Sequence, residues 1–251
     1  MGKTGMLVQK DYGEGRIGVI LNRAPVNALS ADLLMQVAQT LRDLDRDPEC
    51  RAVIFLSAFK VFSAGLDLKE AQKFDLPAQH DIVAGFNHAF HAMFGMGKPT
   101  VVGISGAAIA GGCFFALASD YRIATTGAKL GLAEVRVGAT FPIGPMEVAR
   151  AMLSPNDMRR LMLTGQPMQA EAAHEAGILD ELVEPDDLET RALEMASELA
   201  ALPPRTYAAI KQQMRGGVLD RIERAMAHGA NSPAEGWFSD ETRAAMARMV
   251  G

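Results

Sequence analysis

Apolar positions along the chain alternate between short runs, which are typical of strands, and positions spaced three and four apart, which are typical of helices. The start predicts a hairpin, in which Met6 to Gln9 and Ile17 to Leu21 flank a turn at Gly13-Glu14-Gly15. A helix capped by Ser30 follows, and its apolar face consists of Leu34, Val37, Ala38, Leu41 and Leu44. The run from Ala52 to Leu56 then predicts a strand that is buried on both faces.

The alternation of helix and strand continues to about Pro185. It predicts a helix around Val83 to Phe94, a strand from Thr100 to Ile104, a helix that begins at Gly111-Gly112, and a strand from Tyr121 to Ala124. Beyond Pro185, helices are expected over residues 188–202, 206–214 and 218–228, separated by Pro203-Pro204 and Gly216-Gly217. We therefore predict an α/β core over residues 1–190 and a helical C-terminal module over residues 191–251.

Composition and charge narrow the class of protein. The chain has 251 residues, of which 49% are hydrophobic and 22% charged, the balance of a globular protein with a substantial core. With 25 Lys and Arg against 30 Asp and Glu, the net charge of −5 disfavours a nucleic-acid partner. Two cysteines provide no disulfide framework, and neither a signal peptide nor a long apolar span is visible, so we expect a cytoplasmic protein without membrane association.

Two glycine-rich segments carry the first chemical signal. In FKVFSAGLDLKE, Phe59 to Glu70, a predicted strand turns through Ser63-Ala64-Gly65 into a helix that starts at Asp67. In GISGAAIAGGCFFALASD, Gly103 to Asp120, small residues lead into a helix whose first N–H groups have no internal partner. Neither segment matches a dinucleotide or phosphate-loop motif, and the surroundings of Ser105 lack the last glycine of a nucleophile elbow. Together they can supply two backbone donors for an oxyanion on a carbonyl or thioester.

These segments also carry a family resemblance. FSAGLDLKE, GAAIAGGCFFALASDYRIA and LGLAEVRVG together resemble the crotonase (enoyl-CoA hydratase/isomerase) superfamily, and the similarity extends from LNRAPVNALS through LTGQPMQAEAAHEAGILDELV into the C-terminal helices. The resemblance implies a spiral of β-β-α units with a helical C-terminal module that builds trimers, often paired into hexamers. It also implies an acyl-CoA thioester as substrate and no separate cofactor, because CoA is part of that substrate.

The resemblance also implies roles for individual residues. The oxyanion hole is expected to be formed by the N–H groups of Leu66 and Gly111. The CoA moiety is expected along Val26, Ala28, Ala64, Asp67 and Leu68. Lys60 is a candidate phosphate contact, with a solvated surface lysine as the alternative. Trp237 is expected to be a packing anchor, although the C-terminal helices of this family can cap an active site in their own or an adjacent subunit.

The chain departs from the hydratases of the family at one position. Those enzymes carry one glutamate directly after Gly-Gly-Cys and a second in the third segment, whereas here the first is Phe114 and only the second, Glu134, is retained. A phenyl ring can neither accept nor donate a proton, so hydration loses one of its two acid/base groups. The pattern is similar to that of the Δ3,Δ2-enoyl-CoA isomerases, which use a single glutamate. We expect Glu134 to be the catalytic base, with a pKa raised by Phe114 and an apolar acyl site. Phe114 is also expected to contact the acyl-CoA substrate.

Several alternatives remain open. The protein could be a hydratase-like enzyme of other specificity, a hydrolase or a decarboxylase, because family members use the oxyanion hole for many reactions. It could also bind acyl-CoA without turnover. Glu147 is a second candidate base if residues 140–145 fold inward, and is otherwise expected as an exposed residue in the first turn of a helix. His88 and His91 can share a helix face, but no third ligand accompanies them, so no metal site is predicted. Phe86, Phe90 and Phe94 are expected in the core, where the helix that carries them can also wall an acyl tunnel.

Overall fold

Two β-sheets organise residues 5–250, the part of the chain that the computed structural model describes. The larger sheet has the order β1-β2-β3-β4-β6-β9; β1 is antiparallel to β2, and all other neighbours are parallel. In the smaller sheet, β7 pairs parallel with β5 and antiparallel with β8. The strands are β1 (Leu7–Asp11), β2 (Arg16–Leu21), β3 (Ala52–Ser57), β4 (Thr100–Ile104), β5 (Ala107–Ile109), β6 (Tyr121–Thr125), β7 (Lys129–Gly131), β8 (Met168–Gln169) and β9 (Glu181–Val183).

Helices connect the strands and dominate the last quarter of the described chain, after β9. They are α1 (Ala31–Arg46), α2 (Leu68–Ala71), α3 (Leu76–Gly95), α4 (Cys113–Ala118), α5 (Ile143–Met152), α6 (Pro155–Thr164), α7 (Ala170–Glu175), α8 (Leu188–Ala200), α9 (Pro204–Ala225) and α10 (Asp240–Val250). Short 3-10 turns occupy Ala110–Gly112 and Glu134–Val137. Over the described residues, none of the helices is both long and apolar enough to cross a lipid bilayer.

The strand β3 shows why the large sheet is covered on both sides. Successive strand residues point to opposite faces, so Val53 and Phe55 join the main core under α1 and α3, whereas Ile54 joins a second cluster. The second cluster is completed by α8 through side chains that recur at helical spacing, Leu188, Ala192, Met195 and Ala196. Residue 190 therefore lies inside a helix that packs on the sheet, and the division of the chain at that residue stays a prediction.

The predicted capping and apolar face of the first helix are confirmed. Ser30 accepts a hydrogen bond from the Leu33 N–H at 3.3 Å, and the predicted apolar residues of α1 are buried. The second long helix, α3, begins at Leu76, earlier than the apolar pattern indicated, because Asp75 caps it and Pro77 occupies its first turn. Gly85 lets α3 approach α1 closely, since a Cβ there would stand 3.1 Å from the Leu34 Cβ.

The chain repeats one β-β-α arrangement through four successive turns. Each turn contributes a strand to the large sheet (β2, β3, β4, β6) and then a short segment to a second layer. These second-layer segments pair in the same order, through parallel bridges Leu29–Leu66 and Ser63–Ala108 and through β5 with β7. A helix or 3-10 turn follows each of them, at α1, α2, Ala110–Gly112 and Glu134–Val137. The predicted spiral of β-β-α units is present.

One predicted helix boundary and one predicted strand are wrong. The pair Gly216-Gly217 does not separate two helices, because α9 runs through it from Pro204 to Ala225. Each glycine costs a helix interior about 1 kcal/mol, and the burial of Val218, Leu219 and Ile222 against the core offsets that cost. The strand expected before Ser63 is reduced to the isolated bridge with Ala108.

A buried charge cluster fastens α9 to the end of α4. Asp120 accepts hydrogen bonds from Lys211 Nζ at 2.7 Å, from the Tyr207 hydroxyl at 2.9 Å and from the Thr100 N–H at 2.8 Å, all at Oδ2. Its other oxygen pairs with Arg215 at 2.9 Å. Burial lowers the pKa of Lys211 to about 8, although the Asp120 carboxylate opposes the shift.

We expect Asp120→Ala to destabilise the protein by about 3–5 kcal/mol, because it leaves two cations buried without their carboxylate. The measurement is the free energy of unfolding in urea. The matched control is Lys10→Ala, which breaks the half-exposed Lys10–Glu189 pair of 2.7 Å and is expected to cost at most about 1 kcal/mol. Equal losses in the two variants would contradict the structural role of the cluster.

Candidate active site

The stacked second-layer segments bring three predicted functional groups to one place. Leu66 ends the segment of the second turn, Gly111 follows β5 in the third, and Glu134 follows β7 in the fourth. Because the segments pair in register, the residues directly after them meet at one edge of the layer. All three line a single pocket.

The backbone pairing leaves the Leu66 N–H free to face this pocket. Leu29 donates to the Gly65 carbonyl at 2.7 Å and accepts from the Asp67 N–H at 3.1 Å, so it bonds on both sides of Leu66. In a parallel bridge of this kind, the N–H of the residue between those two bonds points away from the partner segment. Within residues 5–250 the Leu66 N–H has no hydrogen-bond acceptor.

The second donor is the N–H of Gly111. This residue is the second of the 3-10 turn, and its N–H precedes the first hydrogen bond of that turn, which runs from the Cys113 N–H to the Ala110 carbonyl. A Cβ at Gly111 would stand 2.6 Å from the Phe86 ring and 2.7 Å from Leu29 Cδ1, so a larger residue would have to displace these side chains.

Gly65 brings the two donors together. Its φ of +82° turns the chain sharply before Leu66, a conformation that glycine adopts without strain. A Cβ at Gly65 would stand 2.8 Å from the Ala110 Cβ and 3.4 Å from the Gly111 nitrogen, so the two segments are in direct contact. Two convergent backbone donors of this kind can hold an oxyanion.

The pocket is small and apolar. Its free volume is about 120 Å³. Glu134 is the one ionisable residue among the described residues that line it, which are Ala64, Leu66, Leu68, Phe86, Ile109, Ala110, Gly111, Ala133, Glu134, Val137, Ala139, Trp237 and Met249. A single acid/base group therefore faces the two donors.

The carboxyl group of Glu134 is buried and only partly satisfied. The residue is 8% exposed, and its Oε2 has no hydrogen-bond partner among the described residues. Burial raises its pKa to about 8, because removal from water disfavours the charged form. The sequence-based expectation of a raised pKa agrees with this value. Such a group can remove and return a proton near neutral pH.

The turn that carries Glu134 is held at both ends. The Glu134 carbonyl accepts from the Ala139 N–H at 3.1 Å, and the Arg136 side chain donates to the Gly165 carbonyl at 2.8 Å. From α10, the buried Thr242 hydroxyl donates to the Gly138 carbonyl at 2.6 Å. The C-terminal helix therefore supports the turn that positions the carboxyl group.

Of the predicted CoA contacts, the structure places Ala64 and Leu68 on the pocket wall. Val26 and Ala28 lie beside it in the neighbouring segment, where the Val26 carbonyl accepts from the Ala64 N–H at 3.0 Å. Lys60 is exposed and does not line the pocket. Its contact with a phosphate stays a prediction.

Asp67 and Phe114 have structural partners instead. The carboxylate of Asp67 caps α2 and pairs with Arg23 at 2.8 Å, while its N–H and carbonyl are hydrogen-bonded to Leu29 and Ala71. Phe114 is 1% exposed, and its ring packs against Phe90 at a centroid distance of 5.5 Å. Neither lines the pocket, so contact of either side chain with substrate stays a prediction.

The expectation of an exposed Glu147 is wrong. It lies on the inner side of α5, is 4% exposed and does not line the pocket. Arg221 donates to it at 2.7 Å, and Arg150 pairs with its other oxygen. Burial opposes ionisation, but these two guanidinium groups outweigh it and lower the pKa of Glu147. Paired in this way, it is not a candidate base.

Some pocket residues were not predicted as site residues. Phe86 was expected in the core and Trp237 as a packing anchor, and both do pack, at a centroid distance of 5.9 Å from each other. Val137 lies in the LGLAEVRVG segment and Met249 lies beyond the last predicted helix, and neither was singled out from the sequence. For Phe86 and Trp237 the resemblance left open a role in the tunnel wall or in an active-site cap, but their position on the pocket depends on how distant helices dock.

Comparisons with known proteins identify the family. A family model described as enoyl-CoA hydratase/isomerase matches residues 13–245. A short-chain-enoyl-CoA hydratase of Clostridium acetobutylicum is 27% identical over 240 residues, which cover 94% of this chain and 92% of that protein. A probable enoyl-CoA hydratase of Rhizobium meliloti is 33% identical over 192 residues, 75% of this chain and 73% of that protein.

Among solved structures, human mitochondrial delta3-delta2-enoyl-CoA isomerase superposes with a TM-score of 0.91 at 24% identity, covering 98% of this chain and 97% of that one. At that identity the likeness concerns the fold. The repeated β-β-α spiral and the family match together show that this chain has the crotonase fold and belongs to the enoyl-CoA hydratase/isomerase family.

Proposed function

We propose that the protein isomerises 3-enoyl-CoA to trans-2-enoyl-CoA, with Glu134 as the single acid/base. The observation that carries the proposal is the composition of the pocket wall. Among the described residues that line it, Glu134 is the one side chain that can exchange a proton, and it faces two unpaired backbone donors.

Double-bond migration needs no more than these groups. The N–H groups of Leu66 and Gly111 hold the thioester oxygen, which makes the C2 protons more acidic. The Glu134 carboxylate removes one of them, which leaves a dienolate on the oxyanion donors, and the same carboxyl group returns the proton to C4. A carboxyl group with a pKa of about 8 suits both halves of this transfer.

The segments beside the pocket fit the CoA moiety. The exposed Ala64 and the neighbouring Val26 and Ala28 offer backbone to the adenine and pantetheine, and Lys60 is placed in solvent, where a phosphate can reach it. The reaction moves a proton without net oxidation, so it requires no cofactor besides the CoA of the substrate.

A trimer, or a hexamer of paired trimers, in the cytoplasm belongs to the same proposal. Ile210 and Met214 on α9 are 51% and 75% exposed, and an intersubunit contact would cover such large apolar side chains.

A hydratase-like activity is the second candidate, and the names of the two relatives above favour it. Hydration requires an acid/base group in addition to Glu134, because one group must activate the water that attacks C3 and another must protonate C2. Binding of acyl-CoA without turnover is the third candidate.

We expect purified protein to convert cis- or trans-3-enoyl-CoA to 2-enoyl-CoA, and Glu134→Gln to lower kcat by at least about 10³-fold, because the amide cannot accept the proton. The measurement is the absorbance of the conjugated thioester, beside an assay of 2-enoyl-CoA hydration. Glu147→Gln is the control and should isomerise normally. Hydration without isomerisation in the wild type would refute the proposal. Tight acyl-CoA binding without either activity would refute it in favour of a protein that only binds acyl-CoA.

The pH profile provides a second check on the base. We expect kcat/KM for isomerisation to rise tenfold per pH unit and to level off above about pH 8, because the ionised carboxylate is required and its pKa is raised to about 8. A midpoint near the ordinary value of 4.5 would contradict this assignment.

The free energy of unfolding also depends on the pKa of Glu134, and it can be measured without catalysis. The folded chain holds the Glu134 proton more tightly than the unfolded chain, so the free energy of unfolding falls as pH rises from about 4.5 to about 8. Glu134→Gln removes this loss, and its melting temperature relative to wild type should increase by several degrees across that window.

Glu147→Gln is the control, and its expected effect on the melting temperature has the opposite sign. Because the pKa of Glu147 is lowered, its ionised form stabilises the fold above its unfolded pKa, and Glu147→Gln should lower the melting temperature there. If the difference between Glu134→Gln and wild type does not change from pH 5 to pH 9, the carboxyl group is not buried as described.

A further inference from the structure

One wall of the pocket is supplied by the segment that links α9 to α10. The Trp237 indole packs edge-on against the Phe86 ring at a centroid distance of 5.9 Å. Phe86 is the ring that a Cβ at Gly111 would meet at 2.6 Å, so it adjoins the oxyanion donor directly. Trp237 therefore stands one aromatic ring beyond the position where the thioester oxygen is held.

Trp237 is fixed at this wall by several independent contacts. The side-chain oxygen of Gln79, on α3, accepts hydrogen bonds from the backbone N–H groups of Trp237 and Phe238, both at 2.9 Å. The indole N–H donates to the Thr140 carbonyl at 3.0 Å, and the ring stacks on Phe238 at 5.1 Å. Gln79 is 2% exposed, so its two bonds are shielded from water. The indole is thus a rigid part of the wall.

The space that remains is small for an acyl chain. The free volume is about 120 Å³, whereas an apolar cavity of roughly 150 Å³ in another protein holds one benzene molecule, which has six carbons. Phe86, Val137 and Trp237 line the space. Displacement of either aromatic ring would break their mutual packing, and Trp237 is also held by the Gln79 hydrogen bond.

We propose that Trp237 closes the acyl end of the pocket and limits the enoyl group to about four to six carbons, with Gln79 as the residue that positions the indole. The proposal rests on the proposed function in one respect, that the acyl group of an acyl-CoA fills this pocket. It adds a substrate class and two specificity residues.

Binding tests the proposal without requiring turnover. Saturated butanoyl-, hexanoyl-, octanoyl- and decanoyl-CoA are titrated calorimetrically into wild type, Trp237→Ala and Trp237→Phe. Each methylene that becomes buried should strengthen binding by about fourfold. In the wild type we expect this gain to stop at about six carbons. In Trp237→Ala it should continue to decanoyl-CoA, and Trp237→Phe should lie between the two.

Fluorescence gives a direct readout of contact, because Trp237 is the one tryptophan of the chain. Hexanoyl-CoA should change its emission, and free coenzyme A at equal occupancy should not. If coenzyme A alone produces the full change, the indole lies at the CoA moiety and the proposal is overturned.

The role of Gln79 is tested by its effect on chain-length preference. Gln79→Met keeps the length of the side chain but removes the acceptor, so it should shift the preference toward octanoyl- and decanoyl-CoA, less than Trp237→Ala does. Gln79→Glu retains an acceptor and should restore the wild-type preference. Phe74→Ala is the matched control, because it removes a ring from the same aromatic cluster but not from the pocket wall; its preference should equal that of the wild type.

The outcomes separate this inference from the proposed function. A chain-length limit that Trp237→Ala relieves, in a protein that isomerises nothing, supports the acyl stop and refutes the isomerase. Isomerisation in a protein whose acyl-CoA affinity still increases to decanoyl-CoA, or whose limit Trp237→Ala leaves unchanged, overturns the acyl stop alone.

Discussion

The parallel pairing of the short second-layer segments is the constraint on which the site depends. Each segment bonds to the next through alternate residues, as Leu29 bonds on both sides of Leu66 and Ser63 on both sides of Ala108. An N–H that lies between two such bonds cannot join them and must face elsewhere. The same hydrogen bonds that stack the turns therefore turn the Leu66 N–H toward the pocket. They also bring the start of the Ala110–Gly112 turn and the Glu134 turn to the same edge, so three functional groups from distant parts of the sequence share one register.

The position of Glu134 opposes stability, and the C-terminal helix compensates for it. A buried carboxyl oxygen without a partner is an unfavourable arrangement, and it persists only when the surrounding contacts hold it. Here the Thr242 hydroxyl and the Trp237 indole donate to carbonyls at Gly138 and Thr140, directly after the Glu134 turn. The segment that contributes Trp237 to the pocket wall thus also holds the backbone that directly follows the Glu134 turn.

Local sequence signals predicted much of the scaffold, and tertiary contacts determined the rest. The Ser30 cap and the doubly buried β3 follow from residues next to each other in sequence, and the positions of Leu66, Gly111 and Glu134 follow from motifs. The continuity of α9 through Gly216-Gly217 does not, because side chains that pack against the distant helices α3 and α5 offset the cost of the glycines. Glu147 was misjudged for the same reason: one of its two partners, Arg221, lies 74 residues away. Trp237 is held at the pocket wall by contacts with residues far away in the sequence, among them Gln79, which is 158 positions earlier.

Phe114 shows how packing and chemistry are coupled at the position where the hydratases have a second glutamate. Its ring contacts Phe90 at a centroid distance of 5.5 Å and Phe141 at 6.0 Å, inside a cluster that also holds Phe115. A carboxylate at this position would be buried among aromatic rings, and its ionised form would be strongly disfavoured. Restoring a working second acid therefore requires more than one substitution, because the rings around it would have to give way to polar groups or water. The aromatic cluster thus disfavours a second ionised acid/base group at residue 114.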